Sequence, residues 1–390
     1  MTATPLTYSR RFQSALIVLP CLMGLLLTGC NRQPSPSAKL IKDIKNEEFD
    51  NSLTFNAVTL EEFDKTGQLW WRVKAKQARY SKDQKLARIT APSGQLYQDG
   101  KVILNVSAQA GEVQKDGAKL ILKGNIIAQD LRDGTLLRGN EMEWQPKTNL
   151  LLVRNTITAT NPRLKVTARS GKFLTKARRV ELEGQVTAKA TNPSLNLRSD
   201  HLVWLLKPQT VTSDRPLQID RLTGQTVTDR ATANQGTVDL KAKTATLTQN
   251  IELSLVDPPA QISSNNLIWN FNTKTVVSPQ SVIIVNQQQG VTLSGDRGQM
   301  NMNTKTVNLT GNVRGTGERN QSQVAADRLV WNMNSQTFEA DGNVTYEQTN
   351  PVFTLKGPKA SGTLQNKTIV VTGGRVETQF IPDQVGRLVR

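Results

Sequence analysis

The chain has 390 residues, of which 37% are hydrophobic and only 5% aromatic, and it carries 49 Lys and Arg against 32 Asp and Glu for a formal charge of +17. That length allows a large core, but the thin apolar and aromatic content lies near the low end for globular proteins and fits an extended sandwich better than a compact enzyme. The charge would suit nucleic acid, yet no nucleic-acid recognition fold is legible.

The N-terminus reads as an export signal. Arg10 and Arg11 form a cationic start, an apolar run spans Ala15 to Leu27, and it ends in Leu27-Thr28-Gly29-Cys30. A run this short is a signal sequence more readily than a membrane span. It resembles the lipobox of a bacterial lipoprotein precursor, which implies cleavage before Cys30, lipidation of its thiol and anchorage in a membrane. Losing residues 1–29 removes Arg10, Arg11 and Cys21, which lowers the charge from +17 to +15 and leaves no disulfide. An exported chain also rarely meets nucleic acid, so no nucleic-acid partner is expected. Residues 30–50, with Pro34 and Pro36 among polar neighbours, read as a flexible tether.

Beyond the tether the pattern is β. Apolar positions alternate at Leu120, Leu122 and Ile126, at Val180, Leu182 and Val186, and at Val307, Leu309 and Val313. Lys123, Glu181, Glu183, Asn308 and Thr310 between them are polar. This period of two predicts sheets with one apolar and one wet face, and a second sheet must cover the apolar one.

A small or polar residue is expected to close an apolar strand at Gly124, Gly184, Gln249, Gly311 and Gly373. Tryptophans follow the first four by 20 residues, at Trp144, Trp204, Trp269 and Trp331, and read as repeat core anchors. The closing positions are not quite evenly spaced, whereas each tryptophan keeps its offset, so insertions fall between units and not inside them. Half the spacing of these units is explicit where Asp296-Arg297 to Gly311-Asn312-Val313 returns as Asp327-Arg328 to Gly342-Asn343-Val344, 31 residues on. A fixed period of this kind is first of all evidence of a repeat architecture. The clusters Asn303-Thr-Lys-Thr306 and Asn334-Ser-Gln-Thr337 read as its turns.

From Phe55 to about Trp144 the series Val58-Thr-Leu-Glu-Glu-Phe63, Leu69-Trp70-Trp71-Arg72-Val73, Ala91-Pro92-Ser-Gly-Gln-Leu96-Tyr97 and Leu120-Ile-Leu122-Lys-Gly124-Asn-Ile126 resembles the LptC family of lipopolysaccharide-export proteins. From Trp144 onward the Leu-x-Gly-x-Val and Leu-x-Trp strands are similar to the OstA-type β-jellyroll shared with LptA and LptD. The resemblance implies an all-β, elongated, twisted antiparallel β-jellyroll, a V-shaped two-sheet sandwich built from internal repeats of about 31 residues and of twice that length. Its expected order is a signal peptide at 1–29, a tether at 30–50, an LptC-like jellyroll at 51–190, OstA/LptA-like repeats at 191–378 and a tail at 379–390. With strands roughly 4.8 Å apart, such a β region would form a rod on the order of 100 Å long.

The same resemblance implies a periplasmic protein, anchored more readily in the inner membrane, that holds lipopolysaccharide in an apolar groove. Val102, Leu104, Val106, Leu120, Leu122, Ile126, Val180, Leu182, Val186, Val307, Leu309 and Val313 would line it. The implied partners are lipopolysaccharide, an inner-membrane ABC transporter docked near Phe55 to Val73, and an LptA- or LptD-like jellyroll paired edge to edge with the strands from Phe353 to Val376. Such inward residues are equally the core of a filled scaffold. Arg163, Lys165, Lys176, Arg178 and Arg179 are either contacts for lipid phosphates or solvated strand edges.

Catalysis has little support. His201 is the single histidine, without a nucleophile or metal-ligand spacing around it, and Glu141 and Glu143 fall on a wet strand face. No cofactor and no metal are expected.

Overall fold

The computed structural model describes residues 49–114, 119–318, 321–349, 352–363 and 368–380. The export signal, the lipidation at Cys30, nearly all of the tether and the tail beyond Phe380 lie outside the described residues. What is described comprises 29 strands and a 3-10 turn at Pro146–Thr148.

The strands form an antiparallel meander. Leu120–Asp130 pairs with Leu136–Gln145, which pairs with Leu150–Thr160. The next crossing is split at its centre into Leu164–Ala168 and Ser170–Leu174, and the two pieces pair with opposite halves of Arg179–Thr191. That strand pairs in turn with Ser194–Leu205. The same scheme continues through Thr244–Leu255, Ala260–Asn270, Thr306–Gly317, Ser322–Asn332, Thr337–Thr349 and Val352–Thr363. One period of the tandem motif is therefore a single hairpin, and two hairpins make the unit that carries one tryptophan of the series.

Each long strand bends at its middle. Gly124 and Asn125, Gly184 and Gln185, Gln249 and Asn250, Gly311 and Asn312, and Gly342 and Asn343 all have positive φ, and the pairing register slips at each pair. The first four positions were expected to close strands; they bend them instead. Two successive left-handed residues insert a bulge that turns the chain while the ladder resumes beyond it. Gly373 differs, because the strand Thr368–Thr372 does end there.

The bends fold the ladder over on itself, so that the half-strands on one side of the bends form one sheet and those on the other side form another, the first half of each strand pairing with the second half of the next. The two approach closely beside the bends: a Cβ on Gly298 of one would lie 2.7 Å from Val282 Cγ1 of the other. Inner-face side chains of both sheets merge into one apolar cluster that runs from Trp71 to Ala360. Fully burying each Leu, Ile or Val there contributes roughly 1.5–3 kcal/mol.

The turns explain the tandem motif. Asn270, Asn301 and Asn332 each accept backbone N–H groups from the residues two and three positions on, at 2.9–3.2 Å. Lys243, Lys274 and Lys305 lie in such turns with φ near +55°. Their carbonyls accept the N–H groups of Phe271, Met302 and Met333, each at 2.9 Å. One turn is thereby bonded to the next, and a buried Phe or Met closes each rung against the core.

Among the described residues the pairing continues through position 190 and on to Phe380, whose backbone still pairs with Phe353.

Candidate functional site

The space between the two sheets is where the inward residues converge. Leu104, Val106, Leu120, Leu122, Ile126, Val180, Leu182, Val186, Val307, Leu309 and Val313 are all buried there. Val102 is not: a register slip between Leu96 and Tyr97 takes it out of the alternation, leaving it half-buried while Ile103 and Leu104 are both buried. Lys123, Glu183 and Thr310 face out, away from the core.

The tryptophans stand in one register. Trp144 is paired with Leu120 and Leu151, Trp204 with Val180 and Val211, Trp269 with Ala245 and Val276, and Trp331 with Val307 and Phe338. Their fixed offset is thus the path from a bend, around one turn, to the partner strand. All four are buried, and their indole N–H groups, like that of Trp71, have no acceptor among the described residues. A buried donor left unpaired costs about 1–3 kcal/mol, which the packing of the rings must exceed.

Toward the C-terminal end a narrow, mostly apolar cleft is lined by Val291, Leu293, Val324, Trp331, Phe338, Tyr346 and Ile369, with Gly315 and Gly317 beside them. Apart from Trp331, read as a repeat core anchor, these residues were not read from the sequence as site residues. Their signal was the break in alternation after Val313, where glycines stand at the next two inner positions. Shallower hollows lie beside the bends, lined by polar residues such as Asn250, Asn265 and Asp296 together with apolar ones such as Ile251 and Ile283, or by Gln185 and Asp200 together with Val186 and Leu217.

Opposite the bends, the turns of one sheet are latched to those of the other. Arg178 binds both Asp130, at 2.6 Å, and Asp133, and Arg132 donates to Thr175 O at 3.1 Å. Arg163 donates to the Gln209 side chain, Lys305 meets Asp257 at 2.6 Å, and Gln289 donates to Met333 O at 2.9 Å. Lys147 sits 5.9 Å from the ring centroid of Trp70. Arg178 and Arg163 are therefore structural latches in this arrangement. Asp130 is 1% exposed, so its pair is desolvated, whereas Asp257 is largely exposed.

Glu143 was expected on a wet face and is covered instead. It lies on the outer side of its strand but takes hydrogen bonds from Gln145 at 2.7 Å and Arg154 at 3.0 Å, with Lys119 at 3.1 Å. Burial raises its carboxyl, yet these partners together hold it below the ordinary glutamate value. Glu141 shares Arg154, at 3.1 Å.

His201 Nδ1 lies 2.6 Å from an Asp214 carboxylate oxygen. Beside it, Ser199 and Ser213 hydroxyls meet at 2.8 Å and bind backbone carbonyls. The next unit repeats that arrangement at Ser264 and Ser278, with Asn266 in place of the histidine. The histidine therefore decorates a structural turn. Among the described residues no cluster of His, Cys, Asp and Glu is placed to hold a metal.

A family described as lipopolysaccharide-assembly, LptC-related, matches the chain over four overlapping stretches, residues 16–152, 136–228, 223–316 and 283–379. No curated protein matches the chain at a significant level.

Proposed function

The chain belongs to the LptC-related family of lipopolysaccharide assembly, and on that premise we propose that it holds lipopolysaccharide between its two sheets and passes it from an inner-membrane ABC transporter toward the outer membrane. The observation that carries this reading is the continuity of the inner apolar face, one cluster from Trp71 to Ala360 through every repeat.

Each acyl methylene taken from water is worth about 0.8 kcal/mol, so a multi-chain lipid is held without specific polar contacts. Similar binding along successive repeats leaves little barrier between them, and direction comes from the pump. In this reading, lipidated Cys30 anchors the chain, in the inner membrane by preference. Residues 51–190 face the transporter and residues 191–378 extend the path. Among the described residues the strand Phe49–Phe63 pairs on one side only, with Leu69–Ser81, and it is the docking edge for the transporter. The last strands offer the opposite edge to an LptA- or LptD-like jellyroll.

A second reading is an envelope scaffold with a filled core. Its support is that Leu122, Leu182 and Leu309 are 2%, 1% and 0% exposed, covered by neighbouring side chains of the chain itself. The two part on whether the sheets separate at the latched side to admit acyl chains.

Photo-crosslinking in living cells tests this, with a light-activated residue at Leu122, Leu182, Leu309 and, facing outward, Asn308. Lipopolysaccharide adducts at the three leucines and none at Asn308 are the expected result. Absence of adducts at all three, in folded and exported protein, would favour the scaffold.

A further inference from the structure

The turns opposite the bends make two rims, one on each sheet, and the rims differ in charge. On the sheet that carries Trp204, Trp269 and Trp331 the turns read Leu206-Lys207-Pro-Gln209, Leu240-Lys241-Ala-Lys243, Phe271-Asn272-Thr-Lys274 and Met302-Asn303-Thr-Lys305. On the other sheet the turns at 192–193, 224–225, 256–259 and 287–290 contain no Lys or Arg.

The backbone holds the lysine-bearing turns in a stack. Leu240 N–H donates to Gln209 O at 3.1 Å, and Phe271 and Met302 N–H donate to Lys243 O and Lys274 O at 2.9 Å. Equivalent positions on successive turns are two strands apart, about 10 Å. The lysines therefore stand in a row whose spacing the fold sets.

Part of this row has no counter-charge. The latches show which turns face each other: that of Gln209 meets that of Arg163, and that of Lys305 meets that of Asp257. Two turns of each rim lie between those points, so 240–243 and 271–274 face 192–193 and 224–225. The facing turns are Asn192-Pro193 and Gly224-Gln225, which offer no carboxylate. Asp239, next to the turn of Lys241, is already engaged, since it accepts the N–H groups of Lys241 and Ala242 at 2.8 Å. Among the described residues Lys207, Lys241, Lys243 and Lys274 have no carboxylate at ion-pair distance, and Lys207, Lys241 and Lys274 are exposed. Like charges held this close repel, so an anion supplied from outside stabilises the row.

We infer that Lys207, Lys241, Lys243 and Lys274 form a site for the phosphates of the carried lipid's head group, which rides outside the interior along this one rim. Lysine meets phosphate as a point charge on a flexible stem, and cations about 10 Å apart on a fixed row favour a ligand with two phosphates over one with a single phosphate. This rests on the transport reading and adds to it a polar contact that fixes which way round the lipid lies, because the facing rim has no cation there.

Equilibrium binding of diphosphoryl and monophosphoryl lipid A to the full chain, in one detergent, tests the site. Wild type is expected to bind the diphosphoryl form about tenfold more tightly at low salt, a margin that shrinks as salt is raised. Lys241→Gln/Lys243→Gln/Lys274→Gln is expected to bring that ratio close to one. Glutamine at the fourth turn position keeps the backbone, since Gln209 and Gln336 already adopt φ +61° and +55° there. Lys65→Gln/Lys82→Gln/Lys85→Gln, which removes as much charge from turns nearer the N-terminus, is expected to leave the ratio unchanged.

A ratio indifferent to the first triple variant, or lowered equally by the second, would overturn the site. So would phosphatidylglycerol vesicles that wild type binds and the first triple variant releases with the lipid A ratio intact, since the rim would then be a membrane contact. Binding of neither lipid A by wild type would remove the transport reading and the site with it, whereas binding that ignores the rim removes the site alone.

Discussion

At Glu143 the difference between a side chain's direction and its environment becomes visible. Strand alternation correctly points it outward, away from Met142 and Trp144, but Lys119, Gln145 and Arg154 close over it. Its carboxyl is held below the ordinary glutamate value of 4.5 despite burial, so the folded state favours the charged form. A depressed carboxyl contributes stability that is complete above the unfolded value and lost as pH falls through the folded one. Glu143→Gln is therefore expected to lower stability by about 1.5–3 kcal/mol at pH 7, the worth of hydrogen bonds to a charged group. The gap between variant and wild type should close as pH falls below 4.5. Urea denaturation on both sides of that value checks this, and a gap that stayed constant would assign the effect to packing alone.

Among elements, the bend is what turns a flat meander into two facing sheets. Gly311 adopts φ +77°, and a Cβ there would lie 2.6 Å from Asp296 Oδ2, the oxygen that accepts the Asn312 side-chain amide at 2.8 Å. Asp327 and Asn343 repeat the staple at Gly342. Gly311→Ala is expected to cost about 1–3 kcal/mol through backbone strain and displacement of Asp296. At the equivalent bend Gln249 occupies the left-handed region with φ +66°, and Gln249→Gly should gain about 1 kcal/mol. Thermal unfolding of both variants measures the pair, and a loss at Gln249→Gly would mean that its side chain, and not its backbone, matters there. The motif around Gly311 was legible, since Asp296 and the Gly311-Asn312 dipeptide recur together as Asp327 and Gly342-Asn343. Its action was not, because a glycine after an apolar run reads equally as a stop.

Over the molecule as a whole, the sheets are joined covalently at the bends and by side chains on the opposite side. The latches there differ in strength because they differ in burial. Arg178 reaches a carboxylate that is 1% exposed, so Arg178→Ala is expected to cost about 1.5–3 kcal/mol. Lys305→Ala, which loses an exposed partner, should change stability by less than about 1 kcal/mol. Hydrogen exchange would show faster opening of the turns around Asp130 and Thr175 in the first variant and little change in the second. Equal protection in both would mean that the apolar interior alone holds that side closed. On the transport reading this is the side that yields to lipid.

Local chemistry alone determined much of this protein. Period-two alternation at Leu120, Leu122 and Ile126 marked the inner face, the tandem Asn-rich turn clusters marked the hairpins, and the fixed offset of each tryptophan marked the register. All of these are short-range, since a strand pair and its turn fall within one period of the tandem motif. Only the tertiary structure decided which positive-φ pairs bend a strand and which end one, because that depends on whether the ladder resumes beyond the bulge. It also decided that Val102 leaves the inner face, that Asp130 and Arg178 meet across 48 residues, and that Leu293 and Val324 close over Gly315. Each of those outcomes depends on a paired strand or on the facing sheet, and no pattern within one strand records its neighbours.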